Sequence, residues 1–230
     1  MPPIPDAPDY AAAYAALRAR VAELVTAATA AQLAAHPPAT PDWSVHDVLA
    51  HLVGVTGDIL GGVADGIATD PWTQAQVDAR RDRSVQELLA EWTENASQVE
   101  PMIPAFGPMA GQFIGDAAAH EHDIRGALDA PGARDSDAVA IGFEWLAERV
   151  GDARDHAGAG SLRIHTEIGE CTFGTGTPTA STTATRFEVM RATTGRRSLD
   201  QIDAWGWQGD ARTDLLVLSI FRLRPEPLDE

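Results

Sequence analysis

Up to about residue 156, apolar positions recur at helical spacing; beyond it the spacing shifts toward alternation. Between Tyr10 and Ala35, Leu17, Val21, Leu24 and Val25 fall on one stripe of an alanine-rich run that His36, Pro37 and Pro38 bring to an end. Ser44 begins S-V-H-D, a capping-box start with Asp47 at the third helical position. The helix it predicts carries Val48, Leu49, His51, Leu52, Val55 and Ile59 and runs toward Gly61 and Gly62. Thr73 is placed to cap a helix containing Gln76, Arg80, Arg81 and Arg83, and Ser84 opens a second box, S-V-Q-E, ahead of Leu88, Leu89 and Trp92. The prolines from Pro101 to Pro108 predict a loop. A helix from about Met109 to Leu128 follows, then the turn APGARDSD, then a mostly buried helix from Ala138 to Val150. GDARDHAGAG, residues 151–160, reads as a flexible join.

Past that join, SLRIHTEIGECTFGTG alternates through Leu162, Ile164, Thr166 and Ile168 and predicts a hairpin with a Gly-Glu turn. A short helix is expected from Arg186 to Thr194, ended by Gly195, and Ser198 opens another through S-L-D-Q. DAWGWQGD reads as a loop or short strand, and LLVLSIFRL as an apolar closing helix or strand. The expectation is a mostly α protein, with a helical domain over residues 1–156 and a small α+β domain over 160–230, a size within the usual domain range.

Composition narrows the partners. The 230 residues carry a formal charge of −17, and all 17 basic residues are arginine. So acidic a balance argues against a nucleic-acid or anionic-membrane partner. A single cysteine, Cys171, excludes an internal disulfide and fits a reducing cytosol. The opening MPPIPDAPDY lacks a basic region followed by an apolar stretch, so no secretory signal is expected. No run approaches the roughly 18 apolar residues of a membrane span. The chain reads as a soluble cytoplasmic protein.

The chemistry centres on GDAAAHEHDIRGAL. As a helix it puts Asp116 and His120 one turn apart on one face, where a carboxylate and an imidazole can chelate one divalent ion. His51, set in the apolar run VLAHLVGV, supplies the third ligand, since an unpartnered imidazole there would be unfavourable. Two ligands from one helix and one from another leave coordination positions open, as in catalytic metal sites. The plainer alternatives are a solvated i,i+4 pair and a core histidine bonded to a carbonyl. Glu121, His122 and Asp123 after His120 predict that part of this helix faces water or a polar cavity. Asp47 and Asp58 share His51's face and either could orient its ring, although Asp47 reads more simply as a solvated charge.

WSVHDVLAHLVG, WTQAQVDARRDRSVQELLAEW, AAAHEHDIRGAL and RFEVMRATTGRRS resemble the maleylpyruvate isomerase family of actinobacteria, which belongs to the DinB-like metal-binding four-helix bundles and often depends on mycothiol. The resemblance runs over nearly the whole chain and is more specific in the bundle half. It implies a DinB-like four-helix bundle followed by a small α+β domain of the sterol-carrier-like kind. The family's ligands, a histidine of the second helix and an E-x-x-x-H pair, map onto His51, Asp116 and His120, with aspartate where glutamate is usual. The implied cofactor is a divalent metal, Zn2+ on ligand type, with mycothiol as thiol co-substrate.

The implied activity is that of a thiol-dependent isomerase or S-transferase acting on a small, carboxylate-bearing electrophile. The family's second domain closes over the metal cleft and contributes an arginine, for which Arg191, Arg196 and Arg197 are the candidates here. Arg80 and Arg83 on the bundle side compete for that bidentate carboxylate contact. Cys171 is a poor candidate for the thiol. The alternatives are metal-assisted hydrolysis and a non-catalytic metal or small-ligand binding protein, since fold does not fix function.

Overall fold

The computed structural model describes residues 9–230, so most of the stretch read for a leader lies outside the described residues. The chain divides into two compact units, Met1–Gly132 and Ala133–Glu230. Among the described residues, no helix is long and apolar enough to cross a membrane.

The first unit contains α1 (Tyr10–Ala27), α2 (Ala30–Leu33), α3 (Val45–Gly61), α4 (Asp70–Asp78), α5 (Val85–Val99), a 3-10 turn over Glu100–Ala105, and α6 (Met109–Ala127). The long helices α1, α3, α5 and α6 form a four-helix bundle, in which α3 packs on α5 and α6 while α1 packs on α6 and α5. Tyr14, Leu17, Val21, Leu49, Val53, Leu88, Trp92 and Ile114 fill its core. The Trp92 indole donates to the Tyr14 hydroxyl at 2.9 Å, so this buried polar pair is satisfied internally.

Local signals set several boundaries. Ser44 with Asp47, and Ser84 with Glu87, make both bonds of a capping box at the starts of α3 and α5. Gly62 closes α3 in the left-handed conformation, at φ 66°. The run expected to be one helix to Ala35 breaks at extended Ala28, because Thr29 and Gln32 form a capping box that starts α2. Thr73 does not cap α4. The helix starts at Asp70, where Pro71 suits a first turn, and it ends at Asp78, leaving Arg80, Arg81 and Arg83 beyond it.

The second unit holds α7 (Asp137–Ala157), β1 (Ser161–Thr166), β2 (Gly169–Phe173), β3 (Pro178–Thr183), α8 (Arg186–Thr193), α9 (Leu199–Asp203) and β4 (Gln208–Gly209). The sheet order is β2-β1-β3-β4, with β1 antiparallel to β2 and parallel to β3. Helices α7 and α8 pack together, and α7 also lies on β2. Phe143, Val150, Leu162, Ile164, Phe173, Val189, Ile202 and Leu216 form one core.

Three expectations change here. Residues 151–157 are not a join but the last turns of α7, so this helix goes with the sheet rather than with the bundle, and the units part at 132–133. A side chain at Gly151 would bring its Cβ within 2.6 Å of the Gly174 nitrogen, so glycine here serves close packing of helix on strand. The hairpin turns at Glu167 and Ile168, with Gly169 already paired in β2. LLVLSIFRL forms neither a helix nor a strand. Apart from a 3-10 turn ending at Leu215, its backbone is fixed bond by bond, as where Leu218 N donates to Thr193 O at 3.1 Å.

Candidate metal centre

His51 lies on α3, and Asp116 and His120 lie on α6. The structure brings one donor atom of each within 4.8 Å of the others. Asp116 Oδ2 is 3.4 Å from His51 Nε2, and its Oδ1 is 3.6 Å from His120 Nε2. Ligands bound at about 2.1 Å around a tetrahedral ion stand about 3.4 Å apart. Both separations are close to that edge, so the shorter aspartate reaches both imidazoles without glutamate's extra methylene.

Each histidine presents its Nε2 because its Nδ1 is engaged elsewhere. His51 Nδ1 meets the side-chain oxygen of Gln76 at 2.7 Å, and Gln76 Nε2 donates to Asp58 at 2.6 Å. His120 Nδ1 meets Asp123 Oδ2 at 3.0 Å. His51 Nε2 is buried and makes no hydrogen bond. It is one of six such buried side-chain atoms among the described residues, and of these it is the one that belongs to the cluster, 3.4 Å from Asp116, which suits a ligand atom. Burial holds the His120 imidazole below its usual pKa, opposed by Asp116 and Asp123, which favours the neutral ring that a metal needs.

Trp43 lies against both imidazoles, with ring centroids 5.1 Å from His51 and 5.9 Å from His120. Trp72 meets His51 edge-on at 6.5 Å. The indoles give one side of the cluster an apolar wall, while the Asp116 side chain keeps 40% exposure.

The residues after His120 differ from expectation. Glu121, His122 and Asp123 are buried rather than facing water, Glu121 because Arg20 and Arg125 both donate to it and Asp123 because it takes His120. Asp58 acts on His51 only through Gln76, and Asp47 is spent on the Ser44 cap. Gln76 and Asp123 were not among the sequence candidates. The available signals were a glutamine one turn after Trp72 on the same helix face, and a carboxylate at i+3 from His120.

The arginine candidates fall in different settings. Arg80 gives Nε and Nη2 to Glu91 Oε1 at 3.1 and 2.6 Å, and Arg83 takes the other oxygen of Glu91. Within the second unit, Arg191 is fully buried and forks onto the Glu230 carboxylate at 2.8 and 2.7 Å. Arg197 bridges Glu188 and Glu230. Arg196 donates to Thr194 O at 2.8 Å and lies over the Phe221 ring.

Fold and site together define a helical-bundle protein with a two-histidine, one-carboxylate cluster shared by two neighbouring helices, followed by a small α+β unit. The chain belongs to the family described as the mycothiol maleylpyruvate isomerase N-terminal domain, which matches residues 14–165. Two solved structures are similar in fold. One, of a mycothiol-dependent maleylpyruvate isomerase with a histidine-to-alanine substitution, aligns with TM-score 0.57 at 9% identity, covering 83% of this chain and 90% of that one. The other, of a mycothiol-dependent maleylpyruvate isomerase, aligns with TM-score 0.51 at 10% identity over the same shares. No curated protein matches the chain in sequence.

Proposed function

We propose that this chain is a metal- and mycothiol-dependent isomerase or S-transferase acting on small, carboxylate-bearing electrophiles. The observation that carries the reading is the meeting of His51 Nε2, Asp116 and His120 around one point, with each Nδ1 already held. A bound Zn2+ would supply Lewis acidity and lower the pKa of a thiol at the site. The chain's residues contribute two neutral imidazoles and one carboxylate, so a dication there keeps a net positive charge that attracts an anionic thiol. Trp43 and Trp72 limit water on one side. In the isomerase reading, the thiolate adds to an activated double bond, the resulting single bond rotates, and elimination returns the thiol with the trans product. A low-molecular-weight thiol partner and a single cysteine suit a reducing cytoplasm.

Cys171 is not the thiol in this proposal. It is partly buried on β2, and burial together with Glu144 pushes its pKa up, away from the reactive thiolate. Untagged protein is expected to turn over a carboxylate-bearing cis-enone only when metal and mycothiol are both present, and Cys171→Ala is expected to match the parent rate. Metal- or ligand-dependent stabilisation without turnover would favour the binding-protein reading, and turnover without thiol would favour a hydrolase.

For the substrate carboxylate we propose Arg191 or Arg196 ahead of Arg80; Arg80 is held by Glu91 and Arg191 by Glu230, so on either of these two a substrate carboxylate would have to take the place of the present partner. Loss of the clamping arginine should remove about 2–4 kcal/mol of transition-state stabilisation, as for other preorganised charge-stabilising donors. Steady-state kinetics of Arg191→Ala, Arg196→Ala and Arg80→Ala proteins, with metal content measured in parallel, would identify it. A loss confined to Arg80→Ala would move the contact to the bundle side.

A further inference from the structure

We infer that Asp58 and Gln76 form a relay that fixes His51 as the tautomer protonated on Nδ1, which makes Gln76 a positioning residue for the ligand atom of His51. The purpose of the relay rests on the metal reading, but the tautomer follows from hydrogen-bond geometry alone. Gln76 has its amide between a carboxylate and a ring nitrogen, 2.6 Å from Asp58 Oδ2 on one side and 2.7 Å from His51 Nδ1 on the other. An ionised carboxylate only accepts, so the amide nitrogen must face Asp58 and the amide oxygen must face the ring. The reverse orientation would set two oxygens against each other at hydrogen-bond distance. An amide oxygen only accepts, so Nδ1 must carry a proton. A neutral imidazole has one N–H, and the Nε2 lone pair is therefore left for the cluster. That is the buried atom with no hydrogen bond, 3.4 Å from Asp116.

The surroundings explain why α4 can act as a strut. His51 and Asp58 are seven residues apart, two turns along one face of α3. Trp72 and Gln76, one turn apart on α4, both reach His51. Helix α4 comes this close because residue 54 is glycine; a Cβ there would stand 2.4 Å from Gln76 Cβ. Arg80 Nη1 donates to the Gln76 carbonyl at 3.3 Å while its other nitrogens hold Glu91 of α5, so the strut is tied to a second bundle helix. Glutamate could not replace this glutamine without cost, since it would put a second carboxylate at hydrogen-bond distance from Asp58. The relay thus gives His51 a neutral acceptor, whereas His120 is oriented by the carboxylate of Asp123.

The test uses full-length metal-free protein at pH 8, with ring 15N shifts of His51 and His120 from long-range 1H–15N spectra and Zn2+ affinity from competition with a chromophoric chelator. The parent should show His51 protonated on Nδ1. Gln76→Leu should move His51 wholly or partly to the Nε2-protonated form and weaken Zn2+ binding by about 10–100-fold, while His120 keeps its tautomer. Asp58→Asn preserves volume but lets the Gln76 amide turn, so a smaller shift in the same direction is expected, and this variant carries the test if Gln76→Leu does not fold. Parent His51 protonated on Nε2 would overturn the inference, as would variants with unchanged tautomer and affinity. If the parent binds no Zn2+, the 15N shifts still decide the relay, and only the metal reading falls.

Discussion

A His120→Ala protein is expected to lose its metal while its helices stay folded. Losing a direct ligand should weaken binding by more than the about 10–100-fold that loss of an outer partner costs. The bundle should survive because its core is Leu17, Val21, Leu49, Leu88, Trp92 and Ile114, none of which depends on the imidazole. Asp123 gives up one hydrogen bond, an effect of about 1–3 kcal/mol for a buried polar group. That is small beside a typical domain stability of about 5–15 kcal/mol. Elemental analysis and far-UV circular dichroism report the two halves of the result. Added Zn2+ should raise the melting temperature of the parent but not of the variant, because only a folded-state ligand stabilises. Global unfolding of the variant would mean that the cluster is a structural site, and full metal retention would mean that His120 is not a ligand.

The legible parts of this fold were those set by near neighbours in sequence. Ser44 with Asp47, Ser84 with Glu87, and Ser198 with Gln201 cap helices through residues three apart, and all three starts appear where the sequence places them. The same chemistry at Thr29 and Gln32 went unread because the alanine pattern runs through it without a change of texture. Asp116 and His120 were legible for the same local reason, one turn apart on one helix, and His51 through the cost of leaving an imidazole unpartnered among apolar residues.

What stayed illegible depends on contacts between distant segments. Gln76 lies 25 residues from His51, and its place one turn after Trp72 does not connect it to His51 until α4 is seen folded onto α3. Gly151 looked like a break in α7, yet it is the point where the helix meets Gly174, so the helix continues and belongs with the sheet. The parallel pairing of β1 with β3 skips over β2, and no local pattern encodes it. The closing apolar segment gave a helix or strand signal, but its backbone bonds go to residues such as Thr193.

Glu121→Ala is expected to produce a large loss of stability in the bundle, about 3–5 kcal/mol, while leaving the metal cluster intact in the protein that folds. Glu121 is almost wholly buried on α6 and accepts from Arg20 of α1 at 2.8 and 2.7 Å and from Arg125 at 3.0 Å. It is therefore the charged tie between two helices whose residues are 101 apart in sequence. Removing it strands two guanidinium groups beside a core. Arg20 keeps 26% side-chain exposure and can regain some water, which moves the expectation toward the lower end of that range. Glu121→Gln keeps the volume and one acceptor oxygen but not the charge, so its effect should fall between that of the parent and that of the alanine variant. Denaturant midpoints measured in chelator separate this tie from metal linkage. A Glu121→Ala protein as stable as the parent would show that the arginines simply turn to solvent, and that apolar packing alone joins α1 to α6.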